Sequence, residues 1–253
     1  MSALTATGVV KRFGGLTVLN DAWIDVPEGR IIGLIGPNGA GKSTFLTVLS
    51  KFVQPDAGQI FCRDREVTRI GPEGMAQAGV VRTFQVPREF GELSVLDNMI
   101  VAAKNQIGES VWKALLMPGR VAAEHRAIRE RAEERLEFLG LTRVIGNAAK
   151  TLSGGQKKLL ELGRALMTDP FLLLLDEPFA GVAPGLVDVL IDKIHQLNAR
   201  GLGFLIVEHN MEAVNALCGR VYVMVSGSIL TDGAPATVAN DPRVLEAYLG
   251  GKA

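Results

Sequence analysis

The stretch Gly36–Thr44, "GPNGAGKST", carries the decision about fold. From Gly36 to Ser43 it satisfies the spacing G-x-x-x-x-G-K-[ST]. It sits between the apolar run "RIIGLIG" and a helical pattern from about Lys42 to Lys51. In a strand–loop–helix unit of this kind, glycine backbone N–H groups wrap an anion with no Cβ in the way. The helix N-terminus adds favourable dipole charge. Gly36, Pro37, Asn38, Gly39, Ala40, Gly41, Lys42, Ser43 and Thr44 are therefore the candidate phosphate cradle. Lys42 is placed for the β- and γ-phosphates and Ser43 for Mg2+.

Outward from this loop, the chain alternates strands and helices. Strand-like runs ("LTATGVV", "VLNDAWIDV") precede it, and "GQIFCR" and "GVVRTFQ" follow. From about Ser94 to Leu141 the pattern becomes helical, ending in the charged run "RVAAEHRAIRERAEERLEFLGL". After Thr151 the alternation returns, with "FLLLLDE" and "GLGFLIVEH" as strands and "RVYVMVSGSIL" as a hairpin. The expectation is an α/β core interrupted by a mostly helical lobe. Arg and Glu alternate at helical spacing from Arg126 to Arg135, which predicts a solvated, ion-paired face.

Polar residues end the apolar strands where nucleotide chemistry would gather. In "FLLLLDEP", Asp176 is placed to hold a metal's water shell and Glu177 to polarise an attacking water as general base. "FLIVEH" ends in His209, whose imidazole can bond a γ-phosphate and hold that water. "VVRTFQVP" ends in Gln85, a neutral amide that can touch the metal or the water and still swing away. Phe13, before a glycine pair, either stacks on adenine or belongs to the core. Far downstream, "TLSGGQKK" (Thr151–Lys158) sets a serine and two glycines before a second apolar-periodic helix. That is another anion-receiving arrangement.

Taken in order, Phe13, "GPNGAGKST", "TFQ", "LSGGQ", "LLLLDEP" and "VEH" resemble the ATP-binding subunit of ABC transporters over nearly the whole chain. The resemblance implies a P-loop ABC ATPase core of α/β class, with an antiparallel β subdomain and a helical subdomain inserted at about 86–165. It implies ATP and Mg2+ as cofactors, with Glu177, His209, Lys42 and Gln85 catalytic and Ser43, Gln85 and Asp176 at the metal. It also implies that Ser153, Gly154, Gly155 and Gln156 meet the nucleotide of a second ATPase subunit, identical or paralogous, packed head to tail. Two half-sites on opposite edges of one fold are completed together only by a two-fold dimer.

At a finer level, "VRTFQVPREFGELSVLDNMIVA", "AKNQIGESVWKALLMPGR" and "NDPRVLEAYLGG" are similar to importers of branched-chain amino acids and related hydrophobic or amide substrates. That implies transmembrane permease subunits as partners, a periplasmic binding protein indirectly, and a place on the cytoplasmic face of the inner membrane. Gln85 to Phe90 and the following helix would carry the coupling. "DEPFAGV" also resembles the ATPase of lipopolysaccharide export, against which "RTFQ" weighs. Urea or amide import is a further alternative. Ala183 stands where many of these ATPases place an Asp that reaches across the dimer, and its side chain offers no acceptor for that contact.

Bulk properties fit this reading. The 253 residues suffice for a sizeable core, and Lys+Arg 27 against Asp+Glu 27 argues against a nucleic-acid binder held by bulk charge. A soluble ABC ATPase acting on DNA or ribosomes would add a coiled coil or a second cassette, and neither is present in the sequence. A regulatory module without turnover conflicts with the intact Lys42, Asp176, Glu177 and His209. Cys62 and Cys218 have no metal-ligand spacing and read as buried filler in a reducing compartment. No signal peptide or membrane-spanning run is legible. The apolar cluster Val111, Trp112, Leu115, Leu116 and Met117 is expected to pack inside the helical lobe, with an exposed docking patch as the alternative.

Overall fold

Two long strands, β1 (Ser2–Phe13) and β2 (Leu16–Pro27), form a hairpin around Gly14 and Gly15 in this computed structural model, which describes residues 1–83, 89–104, 106–109 and 111–249. Next comes β3 (Ile31–Ile35), a strand buried along its whole length. The phosphate loop leads into α1 (Lys42–Leu49). Then follow β4 (Ala57–Cys62), β5 (Arg65–Glu66), α2 (Pro72–Gln77) and β6 (Val80–Arg82). The helical stretch holds α3 (Val95–Val101), α4 (Val111–Leu116), α5 (Pro118–Phe138) and α6 (Gly154–Leu166). The chain closes with β7 (Leu172–Asp176), α7 (Pro184–Ala199), β8 (Gly203–Val207), α8 (Met211–Leu217), β9 (Arg220–Val225), β10 (Ser228–Gly233), α9 (Pro235–Ala239) and α10 (Pro242–Leu249).

An antiparallel sheet has the order β2-β1-β4-β5. A second sheet, β10-β9-β3-β8-β7-β6, is parallel from β9 to β6 and antiparallel at β10. Strands β3, β7 and β8 are buried at every position, which is why they read as continuous apolar runs rather than alternating ones. Phe45, Leu46, Val48 and Leu49 of α1 join one apolar cluster with residues of both sheets, including Ile24, Ile60, Leu174 and Leu205. The fold is thus the α/β cassette with an antiparallel β portion that the sequence implies.

By its own packing the chain divides into two units. The first comprises residues 1–85, 170–180 and 187–253; the second comprises 86–169 and 181–186. In the helical unit α6 approaches closely at Gly163, where a Cβ would stand 2.8 Å from Leu139 Cδ1 and from Met99 Sδ. Asn98, fully buried on α3, accepts from the Phe90 N–H (2.9 Å) and donates to the carbonyls of Phe90 and Ser94 (3.0 Å each). The charged face of α5 has the expected i,i+4 pair, Arg129–Glu133 at 2.9 Å. It also does what spacing did not foretell: Arg131 and Arg135 reach off the helix to Asp169. Cys62 and Cys218 are buried free thiols, and burial pushes Cys218 up to about 12.

Candidate functional site

The parallel sheet aligns the carboxyl ends of β3, β8 and β7 side by side, with β8 in the middle. The P-loop follows β3, His209 follows β8, Asp176 ends β7 and Glu177 comes next. Three motifs far apart in sequence therefore meet at one edge, where open α/β sheets bind ligands.

The loop itself is shaped by its glycines. Gly36 has φ 148, and a Cβ there would lie 2.1 Å from the Met224 carbonyl oxygen, so the backbone admits only glycine. Lys42 is buried, and its ammonium donates to the carbonyls of Gly36 (2.7 Å) and Pro37 (2.9 Å). Burial pushes its pKa down, while the Glu177 and Asp176 carboxylates pull it back up. Ser43 stands exposed in the first turn of α1. Pro37, Asn38, Gly39 and Ala40 line a concavity of about 390 Å³ with Ser226 and Glu246. A concavity of about 440 Å³ around Arg30, His195 and Arg220 involves none of these motifs.

Asp176 and Glu177 diverge as successive strand-end residues should. Asp176 Oδ2 accepts from Arg82 Nη2 at 2.8 Å, and its Oδ1 is buried with no hydrogen-bond partner. Glu177 leaves the strand with φ 48, a left-handed conformation that costs a non-glycine residue about 1–2 kcal/mol. Strain of this kind concentrates at functional sites. His209 Nδ1 lies 3.8 Å from Glu177 Oε1, near enough for attraction and too far for a direct hydrogen bond.

Two residues that hold this edge together were not singled out from sequence. Arg82, on β6, ties Asp176 to α1 through Thr47 Oγ1 (2.8 Å). Glu208, 1% exposed, accepts from the N–H groups of Phe179 (3.1 Å), His209 (3.0 Å) and Asn210 (3.1 Å). It thereby joins the loop after Glu177 to the strand end that carries His209. The only available signal was "VEH", where His209 drew attention away from its neighbour.

The second anion motif belongs to the helical unit. Ser153 caps α6 in a reciprocal capping box: its Oγ accepts from the Gln156 N–H (3.3 Å), and Gln156 Oε1 accepts from the Ser153 N–H (2.9 Å). Ser153 and Gly154 are exposed. Gly155 is buried, and a Cβ there would lie 1.6 Å from Leu186 Cδ2. A side chain at that position has to displace Leu186 of its own chain.

Gln85 and Arg88 lie outside the described residues. At the end of that segment, Glu89 pairs with Lys157 of α6 (2.6 Å), and the Arg164 guanidinium lies 5.1 Å from the centre of the Phe90 ring. Phe13 is half exposed with Lys11 Nζ 5.4 Å from its ring centre, so it is not a core residue. The expectation that Trp112, Leu115, Leu116 and Met117 pack inside the lobe is corrected: they are exposed. Nothing is described of the Val111 side chain. Tyr248 of α10 meets the Gly36 backbone; burial raises its pKa and the Gly36 N–H lowers it. The C-terminal helix thus touches the P-loop.

The profile of the ABC transporter family matches residues 19–180. The chain belongs to the ABC transporter family. A second profile, described as branched-chain amino acid ATP-binding cassette transporter, matches residues 228–253 of the cassette. The cassette is 39% identical over 250 residues to the probable branched-chain amino acid transport ATP-binding protein LivG of Archaeoglobus fulgidus, covering 99% of this chain and 96% of that protein. It is 37% identical to the high-affinity branched-chain amino acid transport ATP-binding protein LivG of Escherichia coli, covering 98% and 97%. A crystal structure of a nucleotide-free ATP-binding cassette from an ABC transporter superposes with TM-score 0.85 at 37% identity, covering 98% of each chain. The cassette is an ATP-binding, ATP-hydrolysing member of the family, in its branched-chain amino acid branch. Among its described residues, no helix is long and apolar enough to cross a membrane.

Proposed function

We propose that this cassette is an ATP-driven subunit of an importer for branched-chain amino acids or related substrates, attached to the cytoplasmic face of the membrane through permease subunits. The observation that carries the chemistry is the gathering of Lys42, Asp176, Glu177 and His209 at one sheet edge. The substrate class is supported by the relatives' names and by the match over residues 228–253.

In this reading the Lys42 ammonium exchanges the carbonyls of its own loop for β- and γ-phosphate oxygens. Glu177 takes a proton from the attacking water as general base. His209 bonds the γ-phosphate and keeps the water and Glu177 together, while Glu208 fixes the backbone of both loops. Gln85 would sense the nucleotide, and Phe13 would stack on adenine. The edge fits magnesium: Asp176 Oδ1 is a buried oxygen in need of a partner, and Ser43 offers a hydroxyl. Those two residues would hold the ion, whose chemistry is to neutralise charge on the phosphates.

The exposed turn of Ser153 and Gly154 would serve the nucleotide of a second subunit, identical or paralogous, so that ATP joins the two and hydrolysis releases them. Gln85 to Phe90 would receive the permease. The Glu89–Lys157 pair and the Arg164–Phe90 contact support this, since they fasten the end of that segment to the helix capped by Ser153.

The test is Glu177→Gln. It is expected to lose hydrolysis by about 100-fold or more and to elute as an ATP-dependent dimer in size exclusion. Hydrolysis at the wild-type rate would remove Glu177 from the mechanism.

A further inference from the structure

On α4, Trp112, Leu115 and Leu116 stand at i, i+3 and i+4 and so share one side of the helix. They are 74%, 71% and 74% exposed, and Met117 beside them is 42% exposed. A cluster of large apolar side chains turned to water marks a contact surface. Immediately beyond it, Pro118, Val121, Ala122, His125 and Arg126 line an open concavity of about 430 Å³.

From Lys104 to Arg126 the sequence carries Lys104, Lys113, Arg120 and Arg126 against Glu109 and Glu124, a basic excess. Arg120 is exposed and lies against Met117, its Nη1 3.9 Å from the sulfur. Lys104 and Arg126 are also exposed. Glu124, an acid of the same segment, already accepts the Ile107 N–H at 2.7 Å.

We propose that this face is an interfacial anchor for an anionic bilayer surface. Trp112, Leu115, Leu116 and Met117 enter the headgroup–acyl boundary, and Arg120 and Arg126 meet lipid phosphate oxygens. Tryptophan and leucine on one face with arginine at the margin is the composition of helices that lie in that boundary. Charge separates this occupant from a permease loop. Cytoplasmic loops of membrane proteins carry an excess of Lys and Arg, which a basic margin repels, whereas anionic lipid attracts it. An apolar face this short gives weak, reversible binding. It adds to the permease contact by multivalency and keeps the cassette at the membrane between encounters.

The experiment uses the full chain carrying Trp23→Phe, which leaves Trp112 as the reporter, since the chain has 2 Trp. It is mixed with permease-free vesicles of phosphatidylcholine alone or with about one-third phosphatidylglycerol. Co-sedimentation and a blue shift of tryptophan emission are expected with the anionic vesicles, with affinity about tenfold above that for the neutral ones and falling with salt. Trp112→Ser/Leu115→Ser/Leu116→Ser should abolish sedimentation and leave ATPase activity in solution unchanged. Arg120→Ala/Arg126→Ala should keep the fold and remove the lipid-charge preference. Absence of sedimentation with both vesicles, or equal binding to both, overturns the proposal. So does a blue shift without lipid that grows with protein concentration, which assigns the face to a second copy. A shift only with permease-containing vesicles assigns it to a protein. No outcome depends on the transported substrate.

Discussion

Arg82 shows how much of the site rests on residues outside the motifs. Its ion pair with Asp176 is nearly dry, with side chains 9% and 4% exposed. Removing one partner of such a pair leaves a buried charge uncompensated, so Arg82→Ala is expected to cost about 3–5 kcal/mol in urea denaturation. Arg82→Lys should recover only part, because one guanidinium reaches Thr47 and Asp176 together. The residues gathered at this edge were legible because their spacing is specific: "GPNGAGKST" and "LLLLDEP" admit few other readings. Arg82 and Glu208 were not, since the contacts that tie the edge together, to Asp176 and to the Phe179 N–H, lie 94 and 29 residues away in sequence. Gly155 was legible as part of an anion-receiving turn, and its packing against Leu186 was not.

At the scale of elements, that glycine separates two roles. Gly155→Ala should destabilise the helical unit by about 1–3 kcal/mol through overpacking, measured by thermal melting. Adding Leu186→Ala should restore much of the stability. If the turn also carries phosphate, hydrolysis stays low in the double variant; full recovery of activity would make Gly155 a packing residue alone. The linkage of α6 to Glu89 and Phe90 gives a second expectation. Phe90→Asp removes the Arg164 contact and should abolish uptake in reconstituted vesicles while the cassette still hydrolyses ATP. Unchanged uptake would contradict the proposed coupling role of Phe90. The buried parallel strands were readable as short apolar runs bounded by charge, because burial on both faces leaves that trace. The direction faced by α4 was not readable. A cluster such as "VWKALLM" has the same composition whether it meets a core or water.

For the whole molecule, the alternation of strands and helices exposed the interrupted α/β plan. It did not expose that residues 181–186, which follow β7 in sequence, belong with the helical unit. Ala183 lies in that short segment, exposed just before α7, where it offers no side-chain acceptor. Ala183→Asp should cap α7 and raise stability by about 1 kcal/mol, seen as a rise of about 2–4 °C in Tm. The larger question is whether one chain contains a complete site. The P-loop, Asp176, Glu177 and His209 belong to one unit and the Ser153 turn to the other. In the two-subunit reading, Ser153 acts on a nucleotide held by the partner. The direct measurement is Ser153→Arg, assayed for ATP affinity on the isolated chain and for turnover. Affinity is expected within about twofold of wild type and hydrolysis down by about 100-fold or more. Hydrolysis at the wild-type rate would contradict the shared site.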